Sequence, residues 1–176
     1  MAMDLKERFK KSLKNNPFAQ LRRRRMRKHL INRDMTLLCP NCMGGTLFHD
    51  LGLQFRSPTI NLMMYQTDFL KFALDLDHYL NSDFKFFKSP DYDFPCAKLS
   101  DITIHFSHYA SQEEALQTWN RRKARIDKQN MFVVCSERDG LTKADILRLG
   151  NELKVRGLLV FTENDYPEIY SFRLRN

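Results

Sequence analysis

The stretch MFVVCSERDGLTKADILRLGNELKVRGLLVFT, residues 131–162, decides the fold class. Met131–Cys135 is a short unbroken apolar run, which suits a strand buried on both faces. Leu141–Val155 reads as a helix, with Gly157 as its terminator. Leu158–Thr162 is a second buried strand. Strand, helix, strand in that order predicts a right-handed crossover between parallel strands.

Reading outward extends the alternation. Tyr170–Leu174 is a last short strand. Upstream, Ser111–Asp127 is a helix, opened by Ser111 and Glu114 as a capping box. Ala97–Leu99 and Asp101–Phe106 read as strands; in the second, Ile102, Ile104 and Phe106 alternate with Thr103, His105 and Ser107. Residues 82–95 read as an irregular excursion. Leu62, Tyr65, Phe69, Phe72, Leu76 and Tyr79 recur at helical spacing, so residues 59–80 read mostly as one helix, with Ser57 as its cap. Met35–Leu38 is a strand running into a tight turn, and Thr46–Leu51 a short helix closed by Gly52. Residues 34–176 are therefore expected to form one α/β domain. Its mainly parallel sheet would carry flanking helices in a Rossmann-like three-layer arrangement.

Length and composition agree with one such domain. The chain has 176 residues, 43% hydrophobic and 28% charged, enough for a core and too apolar for wholesale disorder. No apolar run is long enough to span a bilayer, and Met1–Lys11 lacks the apolar stretch of a secretory signal. Four cysteines are too few for a disulfide scaffold. These features predict a soluble, cytoplasmic protein.

The net charge of +8 is unevenly placed. Residues 1–33 carry 12 Lys/Arg and 2 Asp/Glu, a net of +10, and residues 34–176 carry a net of −2. Residues 1–33 are thus a basic arm, read as two helices broken at Asn15–Pro17. Leu5, Phe9 and Leu13 share one face; Phe18, Leu21 and Leu30 form a looser second one. Such an arm docks on its own domain by its leucines, or contacts an anionic membrane surface or acidic partner. Nucleic acid is not expected, because the body shows no basic excess.

Ligands of open parallel sheets sit beyond the carboxyl ends of the strands. Asn41, Cys42, Gly44 and Gly45 follow the first strand, His108 and Tyr109 the third, Ser136–Arg138 the fourth, and Glu163 and Asn164 the fifth. Several chemistries fit these groups. Cys39 and Cys42 have the spacing of a redox dithiol, or of half a zinc site whose second half is missing. Cys42 is a candidate nucleophile with His108 as its base. In a further reading Cys42 is structural, and the backbone N–H groups of residues 41–45 hold an oxyanion or phosphate. His108 is a candidate general base, and His105, inside its strand, a structural residue. Trp119, Arg122 and Arg125 share a helix face that could stack on a ring and hold a phosphate, or simply pack over the domain. No metal or cofactor has a complete ligand set.

The residues also resemble a known family. Asn41-Cys42-Met43-Gly44-Gly45, His49, Leu51-Gly52-Leu53, Phe55, Ser57-Pro58-Thr59, Asn61-Leu62 and Asp68-Phe69 resemble the bacterial DUF1919 family. His108-Tyr109, Ala115, Trp119, Arg122 and Arg125-Ile126 extend the resemblance over about residues 20–165. The family's first motif reads Ser-Asn-Asn-Cys with Trp before the glycines; here Cys39, Pro40 and Met43 depart from it. Cys39 is therefore peculiar to this chain, which weakens the redox and zinc readings. The resemblance implies a role in exopolysaccharide biosynthesis.

The leading expectation is a transferase, acyl or glycosyl, acting on a polysaccharide precursor at the inner face of the membrane. His108, Asn41 and Cys42 would be catalytic. Gly44, Gly45, His49, Ser57, Asn61, Tyr109, Trp119, Arg122 and Arg125 would bind a sugar or sugar-phosphate substrate and an acyl-CoA or nucleotide-sugar donor. Two other expectations are a non-catalytic sugar-phosphate-binding or scaffold protein, and a thiol enzyme using Cys42.

Overall fold

The computed structural model describes residues 16–137, 140–167 and 171–173. Two sheets share the fold. Strands β1 (Thr36–Leu38), β5 (Met131–Ser136), β6 (Gly157–Thr162) and β7 (Ser171–Arg173) form a parallel sheet in the order β1-β5-β6-β7. Strands β2 (Phe84–Phe87), β3 (Cys96–Leu99) and β4 (Ile102–His105) form a separate antiparallel sheet.

The parallel unit behaves as residues 131–162 predict. β5 and β6 pair in parallel, joined through helix α6 (Lys143–Glu152). α6 opens with a full capping box, Thr142 and Asp145 each accepting the other's backbone N–H. The helix is shorter than the predicted 141–155, and it ends at Leu153, not at Gly157. Gly157 instead starts β6, where the Phe132 ring leaves no room for a side chain: an added Cβ would lie 2.7 Å from it.

The antiparallel sheet corrects the expectation of a mainly parallel one. Only Ser100 and Asp101 separate β3 from β4, and Ser100 turns the chain with φ 56°. Two residues can make a hairpin but never a parallel crossover. The supposed excursion at 82–95 likewise contains β2, which pairs with β3 from Phe84↔Leu99 to Phe87↔Cys96.

The long helix predicted over 59–80 is also corrected. It splits into α3 (Gln66–Leu74) and α4 (Leu76–Leu80), and begins seven residues later than expected. Asn61 adopts φ 65°, which no helix interior accepts, and Met63 bridges to His105. Ser57 caps no helix; its Oγ accepts the Thr59 backbone N–H inside a buried turn.

Helix α5 (Gln112–Lys123) caps at Ser111, whose Oγ accepts the Glu114 N–H. The Glu114 carboxylate closes the turn on Ala110 N–H, one residue before the box position. Helix α2 (Met43–Leu51) ends at Gly52, whose φ of 68° supplies the left-handed cap.

The main core joins both sheets to the helices through Phe69, Phe72, Leu99, Ile104, Phe106, Trp119, Val133, Ile146, Leu149 and Val160. A smaller core of Leu37, Phe48 and Ile60 lies beneath α2. It fixes α2 against the end of β1.

Helix α1 (Pro17–His29) precedes the sheets, capped by the Asn16 side chain on Phe18 N–H. It docks by arginines and not by leucines. Arg23 pairs with Asp50 at 2.8 Å, and Arg27 donates to the Asp50 and His49 carbonyls at the end of α2. Phe18 and Leu21 remain 81% and 65% exposed. The helix predicted around Leu5, Phe9 and Leu13 lies outside the described residues. Among the described residues no helix is long and apolar enough to cross a membrane.

Candidate active site

The chain leaves β1 at Leu38 and enters α2 through Cys39-Pro40-Asn41-Cys42. Cys39 is fully buried, and its backbone N–H donates to Thr59 Oγ1 at 3.3 Å. Its thiol donates to the Asn41 carbonyl at 3.2 Å. Burial pushes the Cys39 thiol up to about 11, so it stays neutral. Cys39 anchors the turn and has no access to substrate.

Cys42 is the N-cap residue of α2, half-exposed, and stands at the positive end of the helix dipole. Its Sγ lies 2.9 Å from His108 Nε2 and 3.9 Å from Ser107 Oγ. Ser107 and His108 follow β4 of the antiparallel sheet, so the two sheets meet at this pair. The tether is backbone: Met63 and His105 exchange both N–H···O=C bonds at 2.9 Å, and Met64 N–H donates to the Pro40 carbonyl at 2.8 Å. Asn41 Oδ1 accepts the Met43 N–H at 3.0 Å. The carboxamide NH2 of Asn41 has no hydrogen-bond partner among the described residues.

Gly44 and Gly45 are positions of close approach. A Cβ on Gly44 would lie 2.4 Å from Cys39 Sγ, and one on Gly45 would lie 1.9 Å from Asn61 Oδ1. Their lack of side chains lets the 57–61 turn and the Cys39 thiol pack directly against the first turn of α2. They serve the scaffold of the site.

Arg122 fixes that turn from the other side. Nearly buried, it donates through Nη1 to the Ile60 carbonyl at 2.6 Å and meets the Tyr109 hydroxyl at 2.8 Å. Its guanidinium also covers the Phe55 ring, 4.9 Å from the centroid. Desolvation pulls its pKa below the usual arginine value, and burial pushes that of Tyr109 up. Arg125 donates to the Phe55 carbonyl at 3.1 Å. Both arginines hold the 55–60 backbone. Trp119 is a core residue, 3% exposed, with Phe84 and Phe72 edge-on at 4.9 and 6.0 Å.

The structure thus brings Asn41, Cys42, Gly44, Gly45, Ser57, Asn61, His108, Tyr109 and Arg122 into one connected cluster. It leaves His49 out: that residue lies in the last turn of α2, the end opposite Cys42, beside Asp50. At the parallel edge, Glu137 gathers the Glu163 and Asn164 backbone N–H groups and the Tyr166 hydroxyl. Arg138 lies outside the described residues. Sequence reasoning missed Ser107, whose only signal was its place beside His108. It also missed the buried contact of Cys96 Sγ with His105 Nδ1, 3.4 Å, beneath the rings of Tyr65 and Tyr92.

An open cleft of ≈ 680 Å³ lies between residues 87–95 and the start of α5, and Ala110 and Ser111 line it shortly after His108. Among the described residues no group of three or more His, Cys, Asp or Glu could hold a metal ion.

Fold and site together define a mixed α/β protein with a Cys–His pair at the carboxyl end of a parallel strand. The chain belongs to the DUF1919 family, described as a domain of unknown function, which it matches over residues 13–174. It is 36% identical over 148 residues to a protein of Haemophilus influenzae named only "Uncharacterized protein". That alignment covers 84% of this chain and 71% of the relative.

Proposed function

We propose that this protein is a cysteine-dependent acyltransferase in which Cys42 is the nucleophile and His108 the general base. The observation that carries the reading is the 2.9 Å approach of Cys42 Sγ to His108 Nε2 at the start of α2. A thiol within hydrogen-bond reach of an imidazole is the arrangement needed for covalent acyl chemistry.

In the first half-reaction Cys42 Sγ attacks the carbonyl carbon of an acyl donor, and its proton passes to His108 Nε2. The S–C bond forms; the bond to the leaving group then breaks, and that group takes the proton from the imidazolium. In the second half an acceptor hydroxyl gives its proton to His108 and attacks the thioester. The C–S bond breaks, and the sulfur recovers the proton. The free NH2 of Asn41 is the side-chain donor for the oxyanion, a role typically worth ~3 kcal/mol.

This reading treats the parallel sheet as Rossmann-like, with chemistry beyond its strand ends. It also takes residues 34–176 as the catalytic domain. The acceptor, a precursor of surface polysaccharide, is supported by the family resemblance, and a cytoplasmic setting by the composition of the chain. Turnover of an acyl-CoA with hydroxyl acceptors tests the proposal. Cys42→Ser and His108→Ala should each lose at least ~100-fold in rate while folding normally. Unchanged turnover in either variant would reject the assignment, and saturable binding with no product would favour a scaffold.

A further inference from the structure

Helix α1 has two faces, and among the described residues only one contacts the body. Arg23 and Arg27, four residues apart, face the body and bind the carboxyl end of α2 through Asp50 and His49. Phe18, Leu21, Arg22, Arg25 and Lys28 recur at intervals of three and four, so they share the other side. All five are exposed, Phe18 at 81% and Leu21 at 65%. Arg22 makes one long contact with Asp50, 3.7 Å, with its side chain still 69% exposed. Ile31, just past the helix, is 96% exposed.

We infer that this face of α1 docks on an anionic lipid bilayer. Two large apolar side chains flanked by cations match the boundary between anionic headgroups and acyl chains. Charge complementarity selects the occupant. A second copy of α1 would bring like charges together. A nucleic acid would satisfy the cations and leave Phe18 and Leu21 in water. A bilayer takes up both sets. The Arg23 and Arg27 contacts hold α1 against the carboxyl end of α2, whose nine residues span about 13 Å between that end and Cys42. The inference is independent of the acyl chemistry.

The test is co-sedimentation of the full chain with vesicles of phosphatidylglycerol and phosphatidylcholine, against vesicles of phosphatidylcholine alone. Binding should require phosphatidylglycerol and weaken with added salt. The pair Phe18→Ser and Leu21→Ser should reduce it about tenfold or more. Arg25→Ser and Lys28→Ser should each reduce it about fivefold. Exposed positions should leave the thermal midpoint unchanged, so a loss reports the surface and not unfolding. No binding, or equal binding to the neutral vesicles, would overturn the inference. So would binding that tolerates loss of Phe18 and Leu21, or that duplex DNA displaces completely, since either marks a general polyanion surface. Acyl turnover with a soluble donor should be intact in all of these variants.

Discussion

Cys42 Sγ and His108 Nε2 stand 2.9 Å apart, though 66 positions separate them in the chain. One belongs to the turn after the first parallel strand, the other to the segment after an antiparallel hairpin. What joins them is the Met63–His105 backbone pairing, continued by the bond from Met64 to Pro40. The pair is therefore built where the two sheets meet.

Selective alkylation follows from the contrast between the two cysteines of the turn. Cys42 is half-exposed; Cys39 is buried, and its thiol is pushed up to about 11. Iodoacetamide near neutral pH should modify Cys42 and spare Cys39, because only a thiolate attacks. Peptide mapping checks this, and His108→Ala should slow the modification. Equal labelling of Cys39 would contradict the described burial.

Gly45 and Asn61 should behave as a coupled pair. Gly45→Ala places a Cβ 1.9 Å from Asn61 Oδ1, and should cost about 1–3 kcal/mol of stability. Asn61→Gly removes that oxygen and tolerates the φ of 65° at the site. The double variant should therefore recover most of the loss. A double-mutant cycle from denaturant unfolding measures it, and simple additivity would show that the contact does not matter.

The βαβ unit at 131–162 was legible because periodicity and capping agree there, from the buried β5 to Thr142 and Asp145. Cys42 and His108 were legible as candidates, though their distance was not, since it depends on a pairing through Met63 that no local pattern marks. The hairpin at Ser100 carried a readable signal in the short connection between the two predicted strands. Alternation in residues 102–107 fits either strand direction, so it could not separate an antiparallel sheet from a parallel one. Trp119 and Arg122 were legible as one helix face. Whether that face meets a ligand or the 55–60 backbone is decided by tertiary packing alone.

Arg122 should be a stability residue before it is anything else. Arg122→Ala leaves the Ile60 carbonyl and the Tyr109 hydroxyl without a buried donor. The expected loss is about 3 kcal/mol, since bonds to a charged group weigh more than neutral ones. Thermal unfolding checks it. A variant with an unchanged midpoint would restore the arginine to the list of ligand-binding candidates.

The Cys39 thiol also makes stability depend on alkaline pH. Its folded pKa of about 11 lies above the ordinary 9.0, so the folded chain keeps a proton that the unfolded chain releases. The contribution is whole below pH 9 and is lost as pH rises towards 11. Tyr79, whose phenol is also pushed up by burial and by Asp101, steepens the fall at the upper end. Chemical denaturation between pH 8 and 11 should show the decline, and Cys39→Ala should flatten its first part. A wild-type curve without slope would contradict this.

Nucleophilic catalysis by Cys42 is tested most directly by its covalent intermediate. The protein is mixed with an acyl-CoA without acceptor, quenched in acid, and weighed intact before proteolytic mapping. One added acyl group is expected, on the peptide carrying Cys42, released by hydroxylamine and absent from Cys42→Ser. An adduct elsewhere, or no adduct under conditions where acyl transfer is seen, would contradict it.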